Sequence, residues 1–110
     1  MIDAEIMAAV LNSLKDPLLF TNTEHKILYM NKAAIEHYSE DQNLMGNSLL
    51  DCHNEESQRI IKDTLAKMHS GIDEQLITDN EKHRIYMRAV RAVDGSVIGY
   101  YERYEPPEKY

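Results

Sequence analysis

The dipeptide Asp94-Gly95, flanked on both sides by long β-forming segments, is the sequence feature that most constrains the fold of this chain. A two-residue hairpin turn needs positive φ at both of its central positions, and aspartate and glycine tolerate it. We therefore predict a hairpin between strands over residues 84–93 and 96–104. Apolar and aromatic side chains occur on both faces of these strands, which predicts a sheet that is at least partly covered on both faces.

The rest of the chain supplies one long helix and several short elements. Residues 55–69 have a clear helical period, with Asn54 as N-cap and Gly71 as the left-handed residue that ends the helix. The other predicted elements, in chain order, are strands at 18–21 and 26–30, a short helix at 32–38, turns at 41–51 and a modest strand at 74–78. This order predicts an α+β domain with an antiparallel sheet.

The N-terminal 15 residues predict an amphipathic helix that is capped by Asp3 and ends before Pro17. Apolar side chains recur along it with a nearly helical period, at Ile2, Ile6, Val10 and Leu14. Two interpretations stay open. The helix either packs on the core of its own domain or serves as a dimer or linker helix.

Charge and length narrow the class of protein. The 110 residues predict one domain, and 19 acidic against 12 basic residues give a net charge of −7. Nucleic-acid binders normally present a basic face, so we expect no direct binding to nucleic acid or to an anionic membrane. Neither a membrane span nor a signal peptide is recognisable, and the single cysteine forms no intrachain disulfide, so we expect a cytoplasmic protein.

Three stretches resemble a PAS domain. The run Pro-Leu-Leu-Phe-Thr-Asn at 17–22, followed by Ile-Leu-Tyr-Met-Asn at 27–31 and Ala33-Ala34, is similar to the opening of that family. The run Ala-Val-Arg at 89–91, Asp94-Gly95 and residues 97–102 are similar to its close. Between them, Gly46-Asn47-Ser48, Cys52-His53 and Ser57 resemble a bacterial subgroup with a Cys-His pair before the long helix.

The resemblance covers residues 5–105 and implies a fold and a role. The fold is a five-stranded antiparallel sheet in the order 2-1-5-4-3, flanked by helices, with a pocket between sheet and helices. The role is sensory: the domain senses a small ligand or the redox state, and it dimerises through the N-terminal helix. The implied boundaries are an N-terminal helix at 1–15, the PAS domain at 16–105 and a tail or linker at 106–110.

Cofactors known in the family are matched poorly by this sequence. Light-sensing PAS domains carry a reactive cysteine three residues after a glycine, where this chain has Leu49, which argues against a flavin photoadduct. Haem-binding members place a histidine inside the long helix, near the position of Ile60, so haem would need His53, His37 or Cys52. The five histidines include no local ligand pair, and no metal site is predicted.

Pocket candidates are polar side chains expected near the sheet or the long helix. Phenol groups suit a pocket with a polar lining or a subunit interface, and an arginine fork binds carboxylates. The candidates are Tyr29, His37, Cys52, His53, Tyr86, Arg88 and Tyr100. Cys52 is either a redox-sensitive thiol before a helix N-terminus or a small buried apolar residue.

No phosphate-binding loop or nucleophile elbow is present, so we predict a non-catalytic protein. We expect a homodimeric sensory domain whose output lies in another domain or a partner protein. The alternative is a ligand-free dimerisation or docking module for a partner kinase or transcription regulator. Methionines that fill the core would favour this alternative, namely Met30, Met45, Met68 and Met87.

Overall fold

The computed structural model describes residues 3–38 and 44–107. Its elements are α1 (Ala4–Asn12), β1 (Leu19–Asn22), β2 (Ile27–Met30), α2 (Lys32–His37), a 3₁₀ helix (Leu49–Cys52), α3 (Glu55–His69), β3 (Glu74–Asp79), β4 (Arg84–Arg91) and β5 (Val97–Glu105). Within these ranges no helix has the length and apolarity needed to cross a membrane.

The strands form one antiparallel sheet in the order β2-β1-β5-β4-β3. This confirms both the α+β class and the expected strand order. β5, the last strand of the chain, lies in the centre of the sheet and pairs with both β1 and β4. We call the face that carries Met87, Tyr100 and Glu102 the inner face, and the face that carries Tyr86, Arg88 and Arg103 the outer face.

The hairpin between β4 and β5 is confirmed, but the predicted two-residue turn is wrong. The backbone N–H of Gly95 donates to the carbonyl of Ala92 at 2.9 Å, which closes a turn with three residues in the loop. Only Gly95 has positive φ, at 90°. Asp94 keeps negative φ because its carboxylate accepts from the backbone N–H and the hydroxyl of Ser96, at 2.9 and 2.7 Å. A single left-handed glycine after a tight turn is the usual form of a three-residue hairpin loop.

α3 begins and ends where the sequence predicts. The side chain of Asn54 accepts from the N–H of Ser57 at 2.8 Å, and Gly71 follows the helix with φ of 126°. Arg91 fixes this end to the sheet, since its guanidinium donates to the carbonyls of Met68 and Ile72, both at 2.9 Å. The same guanidinium pairs with Asp73 at 2.8 Å.

The core lies between α3 and the inner face of the sheet. Its buried members are Leu19, Ile27, Leu49, Ile61, Leu65, Met68, Met87, Val97 and Tyr100. Met68 and Met87 are fully buried, Met30 packs against this cluster, and Met45 is 52% exposed. Methionine side chains therefore fill part of the core, but Met45 does not contribute to it.

α1 is shorter than predicted and lies largely in solvent. It is capped by Asp3, as expected, but ends at Asn12. The carbonyl of Leu11, in its last turn, accepts from the side chain of Asn31 at 2.9 Å. None of its residues is buried, and the apolar stripe is exposed by 50% at Ile6, 54% at Val10 and 43% at Leu14. Ile2, the first member of the predicted stripe, lies outside the described residues.

Asn31 links three segments of the domain from a fully buried position. Its side-chain oxygen accepts from the N–H groups of Leu18 and Ala34, each at 2.9 Å. Its amide nitrogen donates to the carbonyls of Leu11 and Asp16, at 2.9 and 3.1 Å. One side chain thus caps α2, bonds to the last turn of α1 and holds the connection that leads into β1.

Candidate functional site

Two adjoining cavities lie on the inner face of the sheet. The larger, which we call the inner cavity, has a volume of about 210 Å³ and is lined by Leu19, Ile27, Tyr38, Leu44, Leu49, His53 and Glu102. The smaller, which we call the side cavity, has a volume of about 80 Å³ and is lined by His53, Ser57, Ile60, Ile61, Ile77, Thr78, Ile85 and Glu102. His53 and Glu102 line both cavities, so these two side chains form the polar boundary between them.

His53 is held in place by the junction between the 3₁₀ helix and α3. Its ring atom Nδ1 lies 2.9 Å from the carbonyl oxygen of Leu49. Since a carbonyl only accepts, Nδ1 carries the proton, and Nε2 is the acceptor of the neutral ring. Gln58 braces the junction by donating to the carbonyls of Leu50 and His53, both at 2.9 Å.

Glu102 brings a carboxyl group to the inner face, beside the buried side chain of Met87. Burial raises the pKa of Glu102 above its ordinary value, and the nearby His53 together with a hydrogen bond from Tyr104 offsets part of this shift. The hydroxyl groups of Tyr104 and Tyr38 lie 2.7 Å apart. A chain of polar groups therefore runs from α2 through β5 to the cavity boundary.

Aromatic rings surround this chain of polar groups. The ring of His37 meets that of Tyr38 edge-on, with centroids 4.6 Å apart. The ring of His83 meets that of Tyr104 in the same way at 5.6 Å. His37 itself is exposed, so it contacts a lining residue without lining the inner cavity.

Tyr100 is fully buried in the sheet and is bonded away from the cavities. Its hydroxyl lies 2.7 Å from Nδ1 of His25, whose φ is 67°. Burial, assisted by the positive charge of Lys62, lowers the pKa of His25. The Tyr100 phenol therefore ties β5 to the turn between β1 and β2 and belongs to the core rather than to the cavity lining.

Two predicted pocket residues, Tyr86 and Arg88, lie on the outer face. The guanidinium carbon of Arg103 sits 4.4 Å from the centroid of the Tyr86 ring. Arg88 approaches Glu74 at 3.7 Å, and the same carboxylate accepts from Arg103 at 2.9 Å. These side chains form a charged cross-strand network and do not line the inner or side cavity.

Tyr29 and Cys52 complete the predicted set. Tyr29 pairs across the sheet with Phe20, and its hydroxyl donates to the side chain of Asn12 at 3.3 Å, so it contacts the end of α1. The backbone of Cys52 ends the 3₁₀ helix, and its side chain lies outside the described residues. Of the seven candidates, His53 is the one that the described cavities bring into their lining.

Glu102, the other polar group shared by the two cavities, is not among the predicted pocket residues. A signal for it was present. Glu102 lies midway between Tyr100 and Tyr104 in a strand, so all three share a face. A carboxylate among aromatic side chains on a core-facing strand indicates either a buried ion pair or a binding group.

The size and lining of the cavities limit which cofactors could bind there. Among the described residues, no group of three or more His, Cys, Asp or Glu side chains is placed to hold a metal ion. Leu49, at the position of the photoreactive cysteine, is a buried hydrocarbon side chain. The inner cavity of about 210 Å³ is smaller than the roughly 300–1,000 Å³ of sites for drug-sized ligands. The inner cavity as described is too small for a porphyrin or a flavin ring system.

The two carboxylates Glu102 and Glu74 predict opposite responses of stability to pH. The pKa of Glu102 is raised above its ordinary 4.5, so its contribution to stability is present below about pH 4.5 and is lost as the pH rises through its folded-state pKa. The pKa of Glu74 is lowered, chiefly by the hydrogen bond from Arg103, so its contribution is present above about pH 4.5 and is lost as the pH falls.

The measurement is the free energy of unfolding in urea at about pH 4 and about pH 7 for wild type, Glu102→Gln and Glu74→Gln. Relative to wild type, Glu102→Gln should become more stable as the pH rises, and Glu74→Gln should become less stable. If the two variants shift in the same direction between these pH values, the assignment of Glu102 as a buried carboxyl is wrong.

Comparison with known proteins agrees with this architecture. The chain is similar in structure to a C-terminal domain from Streptococcus mutans, with a TM-score of 0.77, 18% identity and coverage of 96% of this chain and 85% of that one. It is similar to the PAS domain of Bordetella pertussis BvgS, with a TM-score of 0.69, 11% identity and coverage of 96% and 86%. A sensory box sensor histidine kinase from Vibrio cholerae gives a TM-score of 0.65, 12% identity and coverage of 93% and 89%.

Comparison at the level of sequence identifies the family to which the chain belongs. No curated protein matches the chain, but the family model described as PAS fold matches residues 5–100. That match covers all but the first residue of α1, the other helices, strands β1 to β4 and the first four residues of β5, ending at Tyr100. The chain therefore belongs to the PAS fold family, whose domains generally serve as sensory and signalling modules.

Proposed function

We propose that this chain is a cytoplasmic, non-catalytic sensory domain that binds a small ligand in the inner cavity and relays its presence through a homodimer. The observation that carries the proposal is the inner cavity of about 210 Å³, with His53 and Glu102 at its boundary. A binding site of this kind combines an apolar lining with a few convergent polar groups. The output would come from another domain or a partner protein.

The alternative is a docking module without a ligand, and the packing favours it less. A methionine-filled core would have left no space between sheet and helices. Met68 and Met87 are buried, but Met45 is 52% exposed, and the inner cavity remains open beside them. Sensing of redox state would depend on the thiol of Cys52, whose side chain lies outside the described residues. The proposal therefore rests on the ligand cavity.

The stripe on α1 supports the proposed homodimer. Ile6, Met7 and Val10 on α1 are 50–54% exposed, and Leu14, two residues past the end of the helix, is 43% exposed. A row of half-exposed apolar side chains on one face of a helix is the pattern of a helix–helix interface. Because Asn12 bonds to both β2 and the first residue of α2, the helix is tied to the sheet that borders the cavity.

We expect Val10→Glu to convert the dimer to a monomer, because it places a charge in the centre of the exposed stripe. Ala9→Glu is the matched control, since it adds the same charge to the same helix beside the stripe. Native mass spectrometry gives the subunit number of each variant, and the difference from the denatured mass shows any ligand that remains bound. A monomeric wild type, or a Val10→Glu variant as dimeric as the control, would overturn the proposed dimer.

A further inference from the structure

The charges and polar groups around the inner cavity indicate which class of ligand it accepts. This inference rests on the proposed function of the cavity as a ligand site. Most of the lining is hydrocarbon, from Leu19, Ile27, Leu44 and Leu49. The polar groups are the carboxyl of Glu102, the imidazole of His53 and the hydroxyl of Tyr38. A ligand that fits must therefore be mainly apolar, with one polar end.

The sign of that polar end follows from the charges around the cavity. The described linings of both cavities contain the carboxyl group of Glu102 but no lysine or arginine. Arg88 and Arg103 lie on the outer face, where both are paired with Glu74. Arg103 and Lys15 border a separate cavity of about 240 Å³, lined by residues 14–18 and 101–104, which Glu102 also lines. A buried carboxylate is costly without a positive partner. An anionic ligand would meet this carboxyl without an arginine or lysine to compensate.

Among the described lining residues, His53 is the one that can become a cation, and its hydrogen bonding limits the groups that it offers to a ligand. Its Nδ1 proton is committed to the carbonyl of Leu49 at 2.9 Å, which leaves Nε2 as the acceptor of the neutral ring. In that state His53, like Glu102, accepts hydrogen bonds rather than donating them to a ligand. Two acceptors on the boundary of an otherwise apolar cavity match a ligand that donates several hydrogen bonds.

We propose that the inner cavity binds a small apolar amine in its protonated form, with Glu102 as the group that recognises the ammonium. An ammonium supplies both the countercharge for the carboxylate and hydrogen-bond donors for its oxygens. The volume of about 210 Å³ restricts the apolar part to about one ring or a short chain, below the roughly 300 Å³ of the smallest drug-sized sites.

The test uses three probes of one shape and different charge: benzylamine, benzyl alcohol and sodium benzoate. Each is titrated into the ¹⁵N-labelled full chain near neutral pH, where an alkyl amine is protonated, and amide shifts of the cavity-lining residues are followed. Wild type should bind benzylamine at least tenfold more tightly than benzyl alcohol, and benzoate most weakly. Glu102→Gln should lose this preference for the amine, and Glu81→Gln, which removes an exposed carboxylate between β3 and β4 that lines neither cavity, should keep it.

The outcomes separate the ligand class from the proposed function. If benzoate or benzyl alcohol shifts the cavity residues at lower concentration than benzylamine, the amine proposal is wrong and the cavity remains a ligand site. If Glu102→Gln binds benzylamine as tightly as wild type, Glu102 is not the recognition group and the proposal is overturned. If no probe shifts the cavity residues of the folded protein, the amine proposal and the ligand-binding cavity fail together.

Discussion

Replacing Asn31 by alanine is expected to lower the free energy of unfolding by about 3 kcal/mol or more. The change removes the N-cap of α2, worth about 1 kcal/mol, and strands further backbone groups whose burial without a partner costs about 1–3 kcal/mol each. The groups left without their side-chain partner are the N–H of Leu18 and the carbonyls of Leu11 and Asp16. Urea unfolding of both proteins measures the difference.

Asn80→Ala is the matched control for this prediction. Asn80 also accepts from two backbone N–H groups, those of Lys82 and His83, but it does so in an exposed turn where water replaces the lost bonds. The control should lose much less stability than Asn31→Ala. Hydrogen exchange adds a second readout, because only Asn31→Ala should release the backbone of α1 from protection. Equal losses in the two variants would show that Asn31 is not the link between α1 and the sheet.

The second large effect is expected at Gly99, where β1 and β5 approach closely. A Cβ atom built there would lie 2.3 Å from the carbonyl oxygen of Thr21 and 2.5 Å from Cζ of Phe20. The carbonyl belongs to the backbone of the paired strand, so it moves only if β1 moves away from β5. Gly99→Val should therefore cost about 3 kcal/mol or more, at the upper end of overpacking, and should shift the thermal midpoint accordingly.

Two further variants separate the backbone clash from the ring clash at this position. Gly95→Ala places a Cβ in open space at a positive φ of 90° and should cost only about 1 kcal/mol. Phe20→Ala combined with Gly99→Ala removes the aromatic ring from the contact but leaves the Thr21 carbonyl in place. The double variant should be no more stable than Phe20→Ala alone. If the double variant were more stable than Phe20→Ala alone, the close approach of the two strands at Gly99 would be contradicted.

Local signals in the sequence were sufficient for the elements whose geometry is set by neighbouring residues. α3 was predicted to its ends because Asn54 and Gly71 fix its termini by capping and by positive φ. The β4–β5 hairpin was predicted because the Asp94-Gly95 pair favours a turn there. The turn type was wrong because the side chain of Asp94 bonds to Ser96, a preference that the dipeptide alone does not reveal.

Strand faces were harder to predict than strand positions. An extra residue, Ile98, interrupts the pairing of β5 with β4, since Val90 pairs with Gly99 and Arg91 with Val97. Strict alternation would place Val97 and Tyr100 on opposite faces, yet both join the core. Such a bulge has no clear local signature in the sequence.

The same difficulty explains the pocket candidates. Tyr86 and Arg88 are polar residues on a strand with apolar residues on both faces, and they lie on the face of the sheet away from the buried Met87. Glu102 was overlooked because its neighbours on the same face are tyrosines, which fit a core or a pocket equally well. Identifying the cavity side requires the pairing of β4 with β5 and the position of α3, and both are set by residues far apart in the sequence.

The central position of β5 has a consequence for how the protein is made. Thr21 in β1 pairs with Tyr100 in β5, roughly eighty positions later in the chain, so the contact that closes the sheet is among the most distant the chain can form. During synthesis the β1–β2 hairpin and α3 emerge before the strand that joins them, and their apolar faces stay uncovered until β5 has left the ribosome. Folding of this domain is therefore completed only after β5, the central strand of its sheet, has been synthesised.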